Sequence, residues 1–286
     1  MTKEEYLKND EVQCFIDWVI PKINCEKEFI HSYVNRKNKQ IWKCHNIYNA
    51  FKNYEWAFSS YNPINKKEIK GKTFEDSAAF IDTIKKGISL SLQNNDYTNL
   101  INYSNALLKW GGVTNSNSAK IKALGIKIID EYRKVKKELS PDVVNLNDNF
   151  TDIKMNSGFT KIYSALISDF VIYDSRVGAA LGLLVRKFLE EKNIKSIPDT
   201  LKFAYGKARP TKNEDIYQKF RNSRDPSNDK YIFPCLNNNQ LGHIKNNIQA
   251  NWLLKEVSTR SKFNIEPTPI RALESALFMI GYFVRD

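Results

Sequence analysis

The sequence predicts a mainly α-helical fold, and three observations carry that expectation. Apolar residues recur at helical spacing, as in Phe80, Ile84, Ile88 and Leu92. Breaker residues stand where such stretches should start or stop: Gly111-Gly112, Pro141 and Pro269. No stretch alternates apolar and polar residues long enough to mark a sheet. With 286 residues, 42% hydrophobic and 12% aromatic, the chain can bury a sizeable core and is not of the disordered class.

The elements follow in order. Residues 1–70 are dense in aromatics, among them Phe15, Trp18, Tyr33, Trp42, Tyr54 and Trp56, with basic residues between them. Helices and short irregular pieces are expected there, closing on a basic loop, NKKEIKGK. This region is either a unit of its own or part of the same domain as residues 71–286. Thr73 or Glu75 opens the helix that carries Phe80 to Leu92, and another helix covers about 98–110. Ser118 is a candidate N-cap for the next, whose face is Ile121, Leu124, Ile128, Tyr132, Val135 and Leu139. Its remaining surface is strongly basic, and Pro141 ends it. Residues 141–156 are Asn/Asp-rich and read as a loop. About 190–240 is rich in Pro, Lys and Asn, includes KARPTK and RNSRD, and reads as loop too. Leu241–Lys255 is helical. Ile270, Leu273, Leu277, Ile280 and Val284 mark a last helix with Pro269 in its first turn.

Charge narrows the partners. Lys and Arg number 44 against 32 Asp and Glu, a net charge of +12. DNA, RNA or an anionic membrane surface is the partner that such an excess suggests. The other reading is compositional, because AT-rich codons enrich Lys and Asn together. No run of 18 apolar residues occurs and the N-terminus is polar, so neither a membrane span nor a signal peptide is expected, and the cytoplasm is the expected compartment. Cys14, Cys25, Cys44 and Cys235 form no CxxC pair and no zinc-ligand spacing with His. They read as reduced and structural, with no metal or other cofactor.

The most informative stretch is 157–189. A small-residue turn at Asn156, Ser157 and Gly158 leads into a short helix containing Lys161. An apolar connector, Phe170 to Tyr173, follows. Asp174 then opens a second helix with Val177, Ala180, Leu181, Leu184 and Phe188 on one face. This arrangement resembles the helix-hairpin-helix DNA glycosylase superfamily, in particular bacterial proteins with an 8-oxoguanine-glycosylase-like fold. Val171-Ile-Tyr-Asp174-Ser-Arg-Val177 matches the Asp and Val positions of the family's Pro-x-Asp-x-x-Val pattern, without its proline. Gly158-Phe-Thr-Lys161 is a candidate match to the Gly-Thr-Lys-like turn of the lyase-active branch.

The resemblance implies a glycosylase-like helical bundle, in one body or as two helical lobes with a cleft. It implies an enzyme that flips a modified or damaged base out of double-stranded DNA and excises it, in repair or against modified phage DNA, with no protein partner. Asp174 is then the carboxylate that stabilises positive charge on the sugar, and Lys161 the amine that attacks it. Amides near Ser157, Gly158 and Thr160 hold a phosphate, and Arg176 contacts phosphate or pairs with an acid. Tyr54 and Trp56 are candidate stacking partners for the flipped base. Simpler readings stand beside these. Asp174 also fits an ordinary N-cap, Lys161 a solvated lysine, and the aromatics a core. The alternative function is a non-catalytic DNA- or RNA-binding protein on the same helical scaffold.

Overall fold

The computed structural model describes residues 1–36, 38–208, 222–237 and 239–285. Of the basic stretches expected in 190–240, residues 209–212 and 221 lie outside the described residues.

Helix starts are written in the sequence as side chains that accept the first free amides. Thr2 and Glu5 form a capping box on α1 (Lys3–Leu7), and Asn9 caps α2 (Asp10–Asn24). Asn46 caps α3 (Ile47–Lys52). Thr73 and Asp76 form a second capping box on α4 (Phe74–Gln93), and Asp96 caps α5 (Tyr97–Trp110).

The helix expected from Ser118 to Leu139 is two helices. α6 (Asn115–Leu124) begins earlier, and Ser118 lies inside it with its N–H bonded to the Thr114 carbonyl, so it caps nothing. At Gly125 the chain turns through φ +52°, a region that disfavours any Cβ. A short 3-10 turn then leads into α7 (Ile128–Glu138). Beyond the loop at 141–156 come α8 (Phe159–Leu166), α9 (Ser175–Glu191), α10 (Gln240–Arg260) and α11 (Pro269–Ile280).

The aromatic-rich region holds two hairpins that helical periodicity does not announce. β1 (His31–Val34) pairs antiparallel with β2 (Ile41–Cys44), and β3 (Phe58–Tyr61) with β4 (Glu68–Gly71). The stretch expected as a basic loop is therefore half strand. Tyr33 stands opposite Trp42, and their rings stack at 4.9 Å, a contact that fixes the first hairpin's register.

α9 is the spine of the core. Val177, Ala180, Leu181, Leu184 and Phe188 are each at most 2% exposed. Most of its other face is buried too, because α2 and α11 pack against it. Phe188 meets Phe15 and Trp18 of α2 at 5.5 and 5.7 Å. α3 packs on α11, and α1 and α2 on α10, so one apolar core runs through residues 1–70 and 71–286 alike. Phe15, Trp18, Phe29, Tyr33, Tyr48 and Phe51 are all buried in it. Among the described residues no helix is long and apolar enough to cross a membrane.

Candidate active site in a basic, aromatic-lined cavity

The turn before α8 is organised by one side chain. Asn156 Oδ1 accepts from the N–H of Gly158 at 2.7 Å and of Phe159 at 3.1 Å, and its carbonyl accepts from Thr160 N–H at 3.0 Å. The amides of Gly158 and Thr160, expected to hold a phosphate, are thus consumed inside the turn. Thr160 is also fully buried. Its hydroxyl accepts from Tyr173 N–H at 2.9 Å and donates to Asn247 Oδ1 at 2.7 Å, so it ties α8 to the connector and to α10 and does not face a DNA surface. Gly158 leaves no room either, since a Cβ there would meet Asn117 Nδ2 at 2.3 Å. Ser157 does line the cavity, but the contact it makes to the site runs through its carbonyl.

That carbonyl receives Lys161. The lysine is only 5% exposed, so it is no solvated surface residue. Its Nζ lies 3.0 Å from Ser157 O and 3.3 Å from Asp174 Oδ2. Its aliphatic stem passes over Gly111, where an added Cβ would come within 2.5 Å of Lys161 Cδ. A glycine at the end of α5 is what lets the stem through.

Asp174 is the N-cap read from the sequence, and it also meets Lys161. Oδ1 caps α9, accepting from Arg176 N–H at 2.9 Å and Val177 N–H at 3.2 Å. Oδ2 is left for Lys161. Burial, the largest influence on this carboxyl, pushes it up. Lys161, Arg176, Arg224 and the Val177 amide together outweigh burial and hold it below the usual aspartate value.

The connector between Lys161 and Asp174 is held peptide by peptide from a distance. Val171 N–H donates to Asn251 Oδ1 at 2.6 Å, and Ile172 N–H to Glu274 Oε2 at 2.6 Å. Asn247 Nδ2 donates to Val171 O at 3.0 Å, and His243 Nε2 lies 2.7 Å from Tyr173 O. Because a carbonyl only accepts, His243 carries its proton on Nε2. Burial pulls this histidine below its ordinary value, so it is neutral near pH 7.

The pair opens into a cavity of about 1290 Å³. That is larger than a typical small-molecule pocket, and a nucleobase fits within it. Among the described residues, nine Lys or Arg and four Asp or Glu side chains line it. Tyr54 and Trp56, both half-buried, are on its wall. Trp56 is fixed by a bond from Nε1 to Trp110 O at 3.1 Å and packs edge-on against Phe278 at 5.3 Å. Arg176 also lines the cavity, with its guanidinium 4.2 Å from the Phe278 ring centroid, 4.9 Å from Tyr282 and 5.6 Å from Trp56. Among the described residues no group of three or more His, Cys, Asp or Glu is placed to hold a metal ion.

Several cavity residues escape the sequence reading. Glu274 is 7% exposed, and burial raises its carboxyl above the usual range although Arg271 Nη1 sits 2.6 Å away. Lys85 is lowered by burial and by Arg271. Arg224 and His243 complete the set. One signal was present: His243, Asn247 and Asn251 are four residues apart, a polar stripe along α10. No protein-family model matches the chain, and neither a curated protein nor a solved structure matches it.

Proposed function

We propose that the protein is a DNA glycosylase on a helix-hairpin-helix glycosylase-like bundle, excising a modified or damaged base from DNA. The observation that carries this reading is the approach of Lys161 Nζ to Asp174 Oδ2 at 3.3 Å, both buried and both facing a basic cavity with aromatic walls. Breaking the bond between C1′ and the base nitrogen leaves positive charge on the sugar, and the base departs with the electron pair. The Asp174 carboxylate, held ionised, stabilises that charge. If water attacks C1′, Asp174 takes its proton and an abasic site results. If Lys161 attacks instead, its nitrogen gives up protons to Asp174 and the departing base, bonds to C1′, and yields a Schiff base once the sugar ring opens. The strand is then cut by elimination on the 3′ side. Tyr54 and Trp56 supply flat faces for the extruded base, and Glu274 and Arg271 supply polar groups for its edge. Repair and action on modified phage DNA belong to the same proposal.

One observation favours the rival reading of a non-catalytic DNA- or RNA-binding protein. Both partners already have structural tasks, Asp174 as a cap and Lys161 as a donor to Ser157 O. Duplexes carrying 8-oxoguanine, alkylated bases and hypermodified cytosines separate the two. Breaks appearing only after hot alkali are the expected sign of excision by Asp174 alone. Breaks without alkali, together with borohydride trapping lost in Lys161→Gln, bring the lysine into the chemistry. Tight binding with no break on any duplex, or full activity in Asp174→Asn, sinks the enzymatic reading.

A further inference from the structure

Three arginines, Arg36, Arg176 and Arg224, line the cavity on the side of Asp174. They come from distant parts of the chain. The backbone of Arg36 is anchored by its main-chain N–H, which donates to the Tyr282 hydroxyl at 2.9 Å, and the Arg176 guanidinium packs 4.9 Å from the centroid of that same ring. Arg224 Nη1 donates to the hydroxyl of Ser175, the residue between Asp174 and Arg176. The backbone around Arg224 is pinned as well. Arg224 N–H donates to Asn222 Oδ1 at 3.1 Å, and Val284 N–H donates to Ser223 O at 2.9 Å.

Like charges held this way repel, and the cavity wall limits the water that would screen them. The Arg224 guanidinium is pushed down to about 10, first by burial and then by Arg176, with Arg36 acting in the same direction. Asp174 acts on both Arg176 and Arg224, yet it is already engaged by Lys161. Arg224 Nε is buried and has no hydrogen-bond partner among the described residues. An unmet buried donor amid excess positive charge is a costly arrangement unless an anion completes it.

We propose that Arg36, Arg176 and Arg224 form a subsite for a phosphate group, with Arg224 Nε among its donors. Planar guanidinium forks match phosphate oxygens in pairs, which selects phosphate over a halide. A phosphate bound there presents the attached sugar to Lys161 and Asp174, and this last consequence rests on the excision reading. The group has two sources, an internal diester of DNA or a terminal monoester on a strand end or free nucleotide.

Calorimetric titration of the full chain with inorganic phosphate, at fixed ionic strength and with chloride as the control anion, tests the subsite. Saturable binding is expected in the wild type, at least ten-fold weaker in Arg224→Gln, intermediate in Arg224→Lys, and unchanged in Lys120→Gln. Arg224→Gln removes a repelled charge and is expected to melt no lower than the wild type, so lost binding is not lost folding. No phosphate binding in the wild type, or binding untouched by Arg224→Gln, overturns the subsite. Duplexes of one sequence, with and without a 5′-phosphate, then separate the sources. Tighter binding of the phosphorylated duplex that depends on Arg224 assigns the monoester. Equal binding of both, weakened alike by Arg224→Gln, assigns the internal diester, and indifference of both to Arg224 counts against the subsite. A protein that binds phosphate through Arg224 yet excises no base keeps the subsite and loses the excision reading.

Discussion

Asp174 joins a helix cap and a buried charge pair in one side chain, and substitutions can part them. Asparagine caps a helix about as well as aspartate, so Asp174→Asn keeps the start of α9. It also leaves Lys161 buried without its counter-charge, a loss of about 3–5 kcal/mol for a broken buried pair. The variant is therefore expected to fold with a lower melting temperature and, under the proposed excision, to bind duplex DNA and excise nothing. Removing both charges, as in Lys161→Met with Asp174→Asn, should recover part of that stability and none of the activity. Equilibrium denaturation read beside the alkali assay checks both statements.

Gly111 offers a cleaner probe of the lysine. Gly111→Ala pushes the Lys161 stem away from where it now lies and strains its bond to Asp174, so the melting temperature should fall, though by less than in Asp174→Asn. Displacing a reacting group by about 1 Å costs on the order of 100-fold in rate, so single-turnover excision should fall by about that much. Excision unaffected by this variant would place Lys161 outside the chemistry.

His243 sets a pH dependence whose sign is fixed. Its value in the fold lies below the ordinary 6.5, so the unfolded chain binds the proton more readily. The stability it contributes is present above 6.5 and is lost as pH falls toward the lowered value. Glu274 acts in the opposite sense: its carboxyl is raised above 4.5, so its contribution is full below 4.5 and is lost as pH rises through the raised value. His243→Gln keeps a donor for Tyr173 O and cannot titrate. Its stability should be flat where the wild type declines below about 6.5, as urea midpoints across that range will read. At this scale Lys161, Asp174 and Arg176 shared one local pattern, whereas Tyr54 and Trp56 were examples drawn from an aromatic-rich region; all five line the cavity. Glu274, Arg224 and His243 were not legible, because their meaning comes from residues far away in sequence.

At the scale of elements, what was legible is what local chemistry decides. α4, α5, α9 and α11 lie close to where caps and apolar spacing put them. The hairpins were hidden because strands of four residues give too few alternations to register, and their stability comes from ring contacts across the pair. The joint between α6 and α7 was hidden because the apolar face runs through it unbroken. One residue makes that joint. Gly125→Ala places a Cβ where φ is +52°, and a loss of about 1–3 kcal/mol is expected, measured by chemical denaturation. No loss would mean that the joint relaxes toward one continuous helix.

At the scale of the molecule, the first seventy residues are structural partners of everything after them. α2 covers Phe188 of α9, α3 lies along α11, and Tyr33 stacks on Tyr282 at 4.7 Å. A fragment spanning 71–286 is therefore expected to lack a cooperative unfolding transition, and co-expression with 1–70 should restore it. A fragment that melts cooperatively alone would show that α9 and α11 need no such cover. The aromatic density of 1–70 announced burial, but the sequence could not say against what.

The clamp on the connector has a consequence in time. Besides Thr160 of α8, its peptides are held by side chains of α10 and α11, so Asn247, Asn251 and Glu274 must be in place before Asp174 and Lys161 are fully fixed relative to each other. Contacts so far apart in sequence close late. On the ribosome, the lysine and the aspartate emerge well before the residues that align them. The nascent chain carries both side chains before the residues that align them have emerged, so their pairing waits for α10 and α11.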